Sequence, residues 1–285
     1  MHVFTDQVAV VTGAASGMGR SLAVRLAAEG ARLAISDVDT TGLAETARLC
    51  RDHGAQVHEQ RLDVSQREAV YAYAETVAAH YGVVHLVINN AGIALTGDVE
   101  DMTHADVERI MAVDFWGVVH GTMAFLPHVI ASGDGRIVNT SSLFGLIAMP
   151  GQSAYNAAKF AVRGFTEALR EEMLVNKHPV KVTCVHPGGV KTAIAANGTA
   201  VGPRDADALA ELFEKKLARV TADKAAQVIL DGSRRGRPRV LVGTDAKVLD
   251  VVQRLTGSGY QRLIAFAAPR VDRKTTRTRP LRKAS

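Results

Sequence analysis

The chain has 285 residues, 47% apolar and 22% charged, which is the balance of a globular protein with a sizeable core and excludes a low-complexity or disordered chain. The net charge of +5 is concentrated at the C-terminus: residues 270–285 carry +6, leaving −1 for the rest, so the body offers no basic groove of the kind that marks a specific nucleic-acid binder. No secretory leader is visible at the N-terminus, no run approaches the roughly 18 uncharged apolar residues of a membrane span, and the unpaired Cys50 and Cys184 fit a reducing, cytoplasmic setting.

Taken in chain order, short apolar runs alternate with helical patterns. Gln7–Thr12 reads as a buried strand, and a helix follows over Met18–Glu29. Strands over Arg32–Ser36 and Gln56–Arg61 bracket a helix at Thr41–His53. A helix at Glu68–Tyr81 leads to a fourth strand at Val83–Asn89. One long helix is expected over His104–Ile130, then a strand at Arg136–Thr140, a helix at Ser153–Val175 and a strand at Lys181–His186. Ala222–Gly232 is helical and Arg239–Val242 is the seventh strand, after which Gly243 runs into two further helical stretches. Apolar strands separated by helices imply a parallel sheet covered on both faces. The fold class is α/β: a doubly wound, Rossmann-like, three-layer α/β/α arrangement in a single domain over residues 3–268. Residues 269–285 form a basic tail, expected to be a solvated arm.

The polar residues cluster at strand ends. Gly13, Gly17 and Gly19 sit where the first strand turns into its helix, the place where glycine allows backbone to approach a pyrophosphate favoured by the helix N-terminus. Asp37 closes the second strand, where a carboxylate hydrogen-bonds the adenosine ribose hydroxyls and repels a 2′-phosphate. That favours NAD over NADP. Asp63-Val64 and Asn89-Asn90-Ala91-Gly92 follow strands three and four, at the carboxyl edge where open sheets bind ligands. Tyr155 and Lys159 stand four apart in a helical stretch and share one face. A cation beside a phenol lowers its pKa, which makes tyrosine a usable acid–base group.

Thr12–Gly19, Asn89–Gly92, Ser142, Tyr155-x-x-x-Lys159 and Pro187-Gly188 together resemble the short-chain dehydrogenase/reductase family in its common form of roughly 250 residues, over about residues 5 to 245. The resemblance implies that Gly13, Ser16, Gly17, Met18 and Gly19 cradle the pyrophosphate and Asp37 holds the ribose. It also implies that Asp63 and Val64 flank the adenine and that Asn90, Ala91 and Gly92 line the adenosine side and support the sheet. Pro187, Gly188, Val190 and Thr192 would orient the nicotinamide, and Tyr155 and Lys159 would touch the cofactor as well as act in catalysis. Catalysis falls on Ser142, chosen over Ser141 by its spacing of thirteen residues from Tyr155, with Tyr155, Lys159 and Asp114. Asp114 stands where the family usually has Asn, and the usual Gly-Gly ending after the last strand is absent.

The reading is an NAD(H)-dependent oxidoreductase interconverting a primary or secondary alcohol and its aldehyde or ketone. The alternative is a catalytically impaired NAD(H)-binding regulator or scaffold of the same fold. Residues 143–150 and a lid over residues 190–217 border the substrate site. Apart from Lys191 and Arg204, and Lys215 and Lys216 at the far end of the lid, they hold no cations, which favours a neutral, apolar substrate. A homodimer or homotetramer through the helices at 104–130 and 153–175 follows from the resemblance. No metal spacing is seen. His85 and His186 read as packing residues, Phe115 and Trp116 as core or interface. The run Ser258–Ala268 reads as a helix packed on the body, with peripheral membrane contact as the less favoured use.

Overall fold

In this computed structural model the described residues are 4–192, 194, 198–202 and 219–267. The chain begins β1 (Val8–Thr12), α1 (Gly17–Ala28), β2 (Arg32–Asp37), α2 (Thr40–Asp52), β3 (Val57–Arg61), α3 (Arg67–Tyr81) and β4 (Leu86–Asn89). It continues through β5 (Leu95–Thr96), α4 (His104–Met111), a π-helical turn (Ala112–Trp116), α5 (Gly117–Ala131), β6 (Gly135–Thr140) and α6 (Ser153–Val175). Then come β7 (Val180–Pro187), β8 (Val190–Lys191), β9 (Thr199–Ala200), β10 (Val220–Thr221), α7 (Ala222–Arg234), β11 (Arg239–Val242), α8 (Thr244–Thr256) and α9 (Tyr260–Ala267).

Seven strands form one parallel sheet in the order β11-β7-β6-β4-β1-β2-β3. Strand side chains alternate between faces, and each face has its own core. Ala9, Val11, Leu33, Ile35, Leu86 and Ile88 pack with Leu22 and Leu26 of α1 and Ile229 and Leu230 of α7. Val8, Val10, Ala34, Val87 and Ile137 pack with Tyr73 of α3, Phe125 of α5 and Leu169 of α6. The expected single-domain, three-layer sandwich is present, and the continuous apolar runs of β1, β2 and β4 are explained by burial on both faces. Cys50 and Cys184 are buried free thiols, and burial pushes both up to about 12, which leaves them unreactive near neutral pH.

Chain order reverses between β1 and β4, the switch point where doubly wound sheets form a ligand crevice at their carboxyl ends. The loops after β1, β4 and β7 all open there. A buried polar ladder stiffens the sheet behind them: Asn89 Nδ2 donates to Asn139 Oδ1 at 2.8 Å and to Thr122 Oγ1 at 3.1 Å, and Asn139 Nδ2 donates to Thr166 Oγ1 at 3.1 Å. The side-chain amides of Asn89 and Asn139 both find acceptors on a neighbouring strand or helix, while Asn89 Oδ1 is buried without a partner among the described residues.

Two expectations are corrected. The long helix over His104–Ile130 is interrupted by the π-helical turn Ala112–Trp116, which carries Asp114 into the interior. By length and composition the rod His104–Ala131 contains an 18-residue stretch apolar enough to cross a membrane, and half of that stretch is buried within the protein, as in the core helix of a globular fold. The fourth strand starts at Leu86 and not Val83, so His85 lies just ahead of it, where its Nδ1 accepts a hydrogen bond from the Val8 amide at 3.1 Å. The lid expected over 190–217 falls mostly outside the described residues, as do Arg204 and the basic tail. Its two described ends pair as short parallel ladders, β8 with β10 and β9 with β5.

Candidate active site

The loop after β1 is built to receive an anion. Gly13 and Gly17 both hold positive φ, 65° and 53°, which side chains with a Cβ adopt rarely. A Cβ at Gly19 would collide with the Gly13 carbonyl, and one at Gly13 would come within 2.7 Å of Ala91 Cα. Ser16 caps α1 without a side-chain hydrogen bond, and the first turn holds no acid, so the amides at this helix start remain available to a phosphate. These are the features a pyrophosphate group requires, and the residues present fit a dinucleotide.

Asp37 is half-buried at the end of β2. Its Oδ2 accepts from the Ala15 amide at 2.9 Å and its Oδ1 from the Asp39 amide at 3.0 Å, so the carboxylate holds the glycine loop while keeping lone pairs for further donors. Two cations escaped the sequence reading. Arg20 donates to the Ala15 carbonyl, to the Gly42 carbonyl at 3.1 Å and to Thr46 Oγ1 at 2.9 Å, and so is spent on knitting the loop. Arg61 is exposed and is the register partner of Asp37 across the β2–β3 ladder.

Asp63 Oδ1 accepts from the Ser65 amide at 2.9 Å and its hydroxyl at 2.7 Å, which is a turn-forming arrangement, and Val64 is buried against Gly117 of α5. Asn90 Nδ2 donates to the carbonyls of Thr12 and Gly13, at 3.1 and 3.2 Å. The amides of Asn90 and Ala91 both reach Thr12 Oγ1. The Asn-Asn-Ala-Gly segment thus ties the end of β4 to the end of β1. Across the crevice Thr192 rests on Gly17, where a Cβ would lie 3.1 Å from it. Val190 is buried in the core.

Tyr155, Lys159, Ser142 and Asp114 come together beyond the ends of β4 and β6. The i,i+4 spacing on α6 puts Lys159 Nζ 5.5 Å from the centre of the Tyr155 ring. Lys159 is buried and its Nζ lies 3.3 Å from Asp114 Oδ2 and 3.3 Å from the Thr140 carbonyl. Asp114 is fully buried and its Oδ1 accepts from the Ile93 amide at 2.8 Å. The Asp114 carboxylate itself is therefore the partner of the lysine. Little room is left beside them at Gly92, since a Cβ there would stand 3.3 Å from Asp114 Oδ1 and 3.4 Å from Lys159 Nζ.

Burial lowers the pKa of Lys159, but Asp114 foremost and then Tyr155 outweigh it and hold the pKa above the ordinary lysine value. Burial raises Asp114 above the usual carboxylate range, against the pull of Lys159 and the Ile93 amide. Burial likewise dominates at Tyr155, seconded by the negative charge of Asp114. Lys159 and a hydrogen bond with Ser142 pull the other way, and the net shift is upward. Without a cofactor the cation expected to lower the phenol offsets only part of the cost of burial.

The two serines separate cleanly. Ser141 Oγ donates to the Lys159 carbonyl at 2.7 Å and is spent inside the structure. Ser142 Oγ accepts from the Phe144 amide at 3.1 Å, and the Ser142 carbonyl accepts from His186 Nδ1 at 2.9 Å. His186 is fully buried and its desolvation lowers its pKa to about 4, so it stays neutral and positions Ser142 through the backbone. Phe115 packs on Phe165 with rings 6.4 Å apart, whereas Trp116 is half-exposed. No group of three His, Cys, Asp or Glu side chains among the described residues is placed to hold a metal ion.

A family model for short chain dehydrogenase matches residues 7–200, more than half of the chain. The chain belongs to the short-chain dehydrogenase/reductase family. It is an oxidoreductase of that family, similar over 265 residues, at 62% identity, to "Putative oxidoreductase SadH" of Mycobacterium tuberculosis, covering 93% of this chain and 96% of that one. Human estradiol 17-beta-dehydrogenase 11 is 35% identical over 201 residues, covering 70% of this chain and 67% of its own. The crystal structure of a short-chain dehydrogenase/reductase from Burkholderia phymatum in complex with NAD superimposes with a TM-score of 0.84 at 28% identity, over 95% of this chain and 99% of that one. Solved members of the family bound to a nicotinamide cofactor thus share this fold.

Two measurements test the electrostatics. Asp114→Ala leaves a buried ammonium without its partner and is expected to cost about 3–5 kcal/mol in urea unfolding, while the double variant Asp114→Leu/Lys159→Met recovers most of that loss. Equal losses in the single and double variants would show that the pair is not coupled. Secondly, His186 is neutral when folded but gains a proton when unfolded below its ordinary pKa of about 6.5. Its contribution is therefore full above that pH and declines as pH falls towards 4, by on the order of 3 kcal/mol. His186→Gln should flatten the fall in stability between pH 6.5 and 4.5, and an unchanged slope would contradict the assignment.

Proposed function

We propose that this chain is an NAD(H)-dependent dehydrogenase/reductase that interconverts a neutral, apolar alcohol and its carbonyl compound, with Tyr155 as the acid–base group. The observation that carries the reading is Lys159, a buried cation 5.5 Å from the Tyr155 ring and kept charged by Asp114. A bound nicotinamide supplies the hydride acceptor or donor. In oxidation Tyr155 Oη takes the proton of the substrate hydroxyl as phenolate, and in reduction it returns a proton to the carbonyl oxygen. Lys159 favours the phenolate against the cost of burial, and Asp114 acts through Lys159 by holding its charge. Ser142 Oγ, beside Tyr155, steadies the substrate oxygen between the two hydroxyls. Gly13, Ser16, Gly17, Met18 and Gly19 hold the pyrophosphate, Asp37 the adenosine ribose, and Asp63 and Val64 the adenine. Asn90, Ala91 and Gly92 line the adenosine side. Pro187, Gly188, Val190 and Thr192 face the nicotinamide half.

The substrate class rests on the surroundings of Tyr155. The segment that connects Ser142 to α6 borders a cavity of about 520 Å³ lined by Val99, Met149, Pro150 and Ile264 and also by polar Asp98, Ser153, Asn156 and Gln261. Its volume suits a mid-sized ligand. The human relative named for estradiol is in keeping with such an alcohol. Preference for NAD rests on Asp37, whose carboxylate meets any 2′-phosphate, while Arg20 is engaged by the loop itself. Association into dimers or tetramers through the rod His104–Ala131 and α6 is supported by their exposed Trp116, Met123 and Phe160.

The deciding experiment is a screen of NAD⁺ reduction over apolar alcohols, with Tyr155→Phe as control. Tyr155→Phe should lower kcat by roughly 10²–10⁴ while NADH still binds. Near-normal turnover in that variant would remove Tyr155 from the mechanism, and NADH binding without turnover in the wild type would favour a regulator of the same fold. Asp37→Ala, with Arg61 left on the neighbouring strand, should narrow the preference for NAD over NADP by roughly tenfold, equivalent to about 1.4 kcal/mol. A wild type that already prefers NADP would refute the reading of Asp37.

A further inference from the structure

The helices beyond β11 reach into the crevice. Asp245 stands in the first turn of α8, and its Oδ2 accepts from the Gly189 amide at 2.6 Å, a short bond of the charge-assisted kind. Gly188 and Gly243 both come so close to this carboxylate that a Cβ on either would collide with it. Three glycines from two separate segments therefore enclose one carboxylate, an arrangement with no slack on either side. A second tie lies further along: Tyr260 Oη accepts from the Ala148 amide at 3.0 Å. Around it Ala246, Leu249 and Ile264 pack on Leu143, Leu146 and Ile147.

The segment that Asp245 grips runs between the two halves of the site. It starts beside His186, which holds the Ser142 carbonyl, and ends at Thr192, which rests on Gly17 of the glycine loop. Any ligand that joins the Ser142–Tyr155–Lys159 group to the pyrophosphate loop must pass along it. The amide of Gly188 is itself fixed, donating to the Val242 carbonyl at 2.9 Å, and the Gly189 carbonyl accepts from the Arg219 and Val220 amides at 3.0 and 3.1 Å. Of the interactions that set the Gly189 peptide among the described residues, only the bond to Asp245 carries a charge.

We propose that Asp245 is a positioning residue for the nicotinamide half of the cofactor: its carboxylate fixes the Gly188–Gly189 turn, and with it Val190 and Thr192, so that the C-terminal helices are part of the active site. The proposal rests on the nicotinamide cofactor assigned under Proposed function. An acid in the first turn also stabilises its own helix, so α8 alone gives Asp245 a purely structural use. The two uses differ in which ligand they affect.

The test measures binding of NADH and of ADP-ribose, which lacks the nicotinamide, by fluorescence and calorimetry on the full chain. It compares the wild type with Asp245→Asn, which keeps an acceptor oxygen without the charge, and Asp245→Ala, and records thermal midpoints throughout. The expected result is a loss of about tenfold or more in NADH affinity in Asp245→Ala and a smaller loss in Asp245→Asn. ADP-ribose should bind both variants as it binds the wild type, and KM for NAD⁺ should rise more than kcat falls. Unchanged NADH affinity with a lowered thermal midpoint overturns the proposal and leaves a helix-stabilising acid, as does an equal loss for both ligands. If Asp245→Ala does not fold, the near-isosteric Asp245→Asn decides alone. A wild type that binds ADP-ribose but gains nothing from the nicotinamide overturns the cofactor assignment itself, and this proposal with it.

Discussion

An ammonium and a carboxylate 3.3 Å apart, both shut away from water, set the terms for the centre of this protein. Neither charge survives such burial without the other and without further hydrogen bonds. The surroundings meet that demand from three directions. The Ile93 amide serves the carboxylate, the Thr140 carbonyl serves the ammonium, and Gly92 leaves the space in which both sit. A buried ion pair is weak evidence of stabilisation, since two apolar residues of similar volume often do as well. What an apolar pair cannot supply is a permanent positive charge beside a phenol. The arrangement is understandable as the way to keep Lys159 charged where solvent would not.

The crevice loops share one device. After β1 the Ala15 amide is held by Asp37, after β4 the Ile93 amide by Asp114, and after β7 the Gly189 amide by Asp245, at 2.9, 2.8 and 2.6 Å. Each loop is glycine-rich because backbone must come close to a partner, and glycine-rich backbone has the most conformational freedom to lose. A carboxylate on a neighbouring element restores order without adding bulk to the loop. Rigid strands alone would deliver the loops to the carboxyl edge of the sheet. The carboxylates then decide where within that edge each amide points.

Local patterns in the sequence carried the parts that are local in the structure. The bounds of α6 and β11 follow directly from periodicity, and Tyr155 and Lys159 meet because a helix repeats every 3.6 residues. The glycine loop and Asp37 were legible for the same reason, each lying at a strand end. What was missed lies far apart in the chain. His186 reaches Ser142 across 44 residues and Asp245 reaches Gly189 across 56, and no spacing rule joins either pair. Arg61 was overlooked because register across β2 and β3 is a property of the folded sheet. The direction of the Tyr155 shift was missed because burial, which outweighs the cation, cannot be summed from a list of neighbours in sequence.

The π-helical turn at Ala112–Trp116 makes the rod from His104 to Ala131 a phase-setting device. Upstream, Ile110 seats the rod against Ala154 and Ala158 of α6, and downstream Phe125 seats it against Tyr73 of α3. The wider turn accommodates one residue more than α-helical winding would, and one residue corresponds to about 100° of rotation. Removing a single residue between these seats would leave the composition almost untouched, yet only one of the two could then face its partner. This rod is thus more tolerant of changes in chemistry than of changes in length, and Asp114 lies within the turn that sets that length.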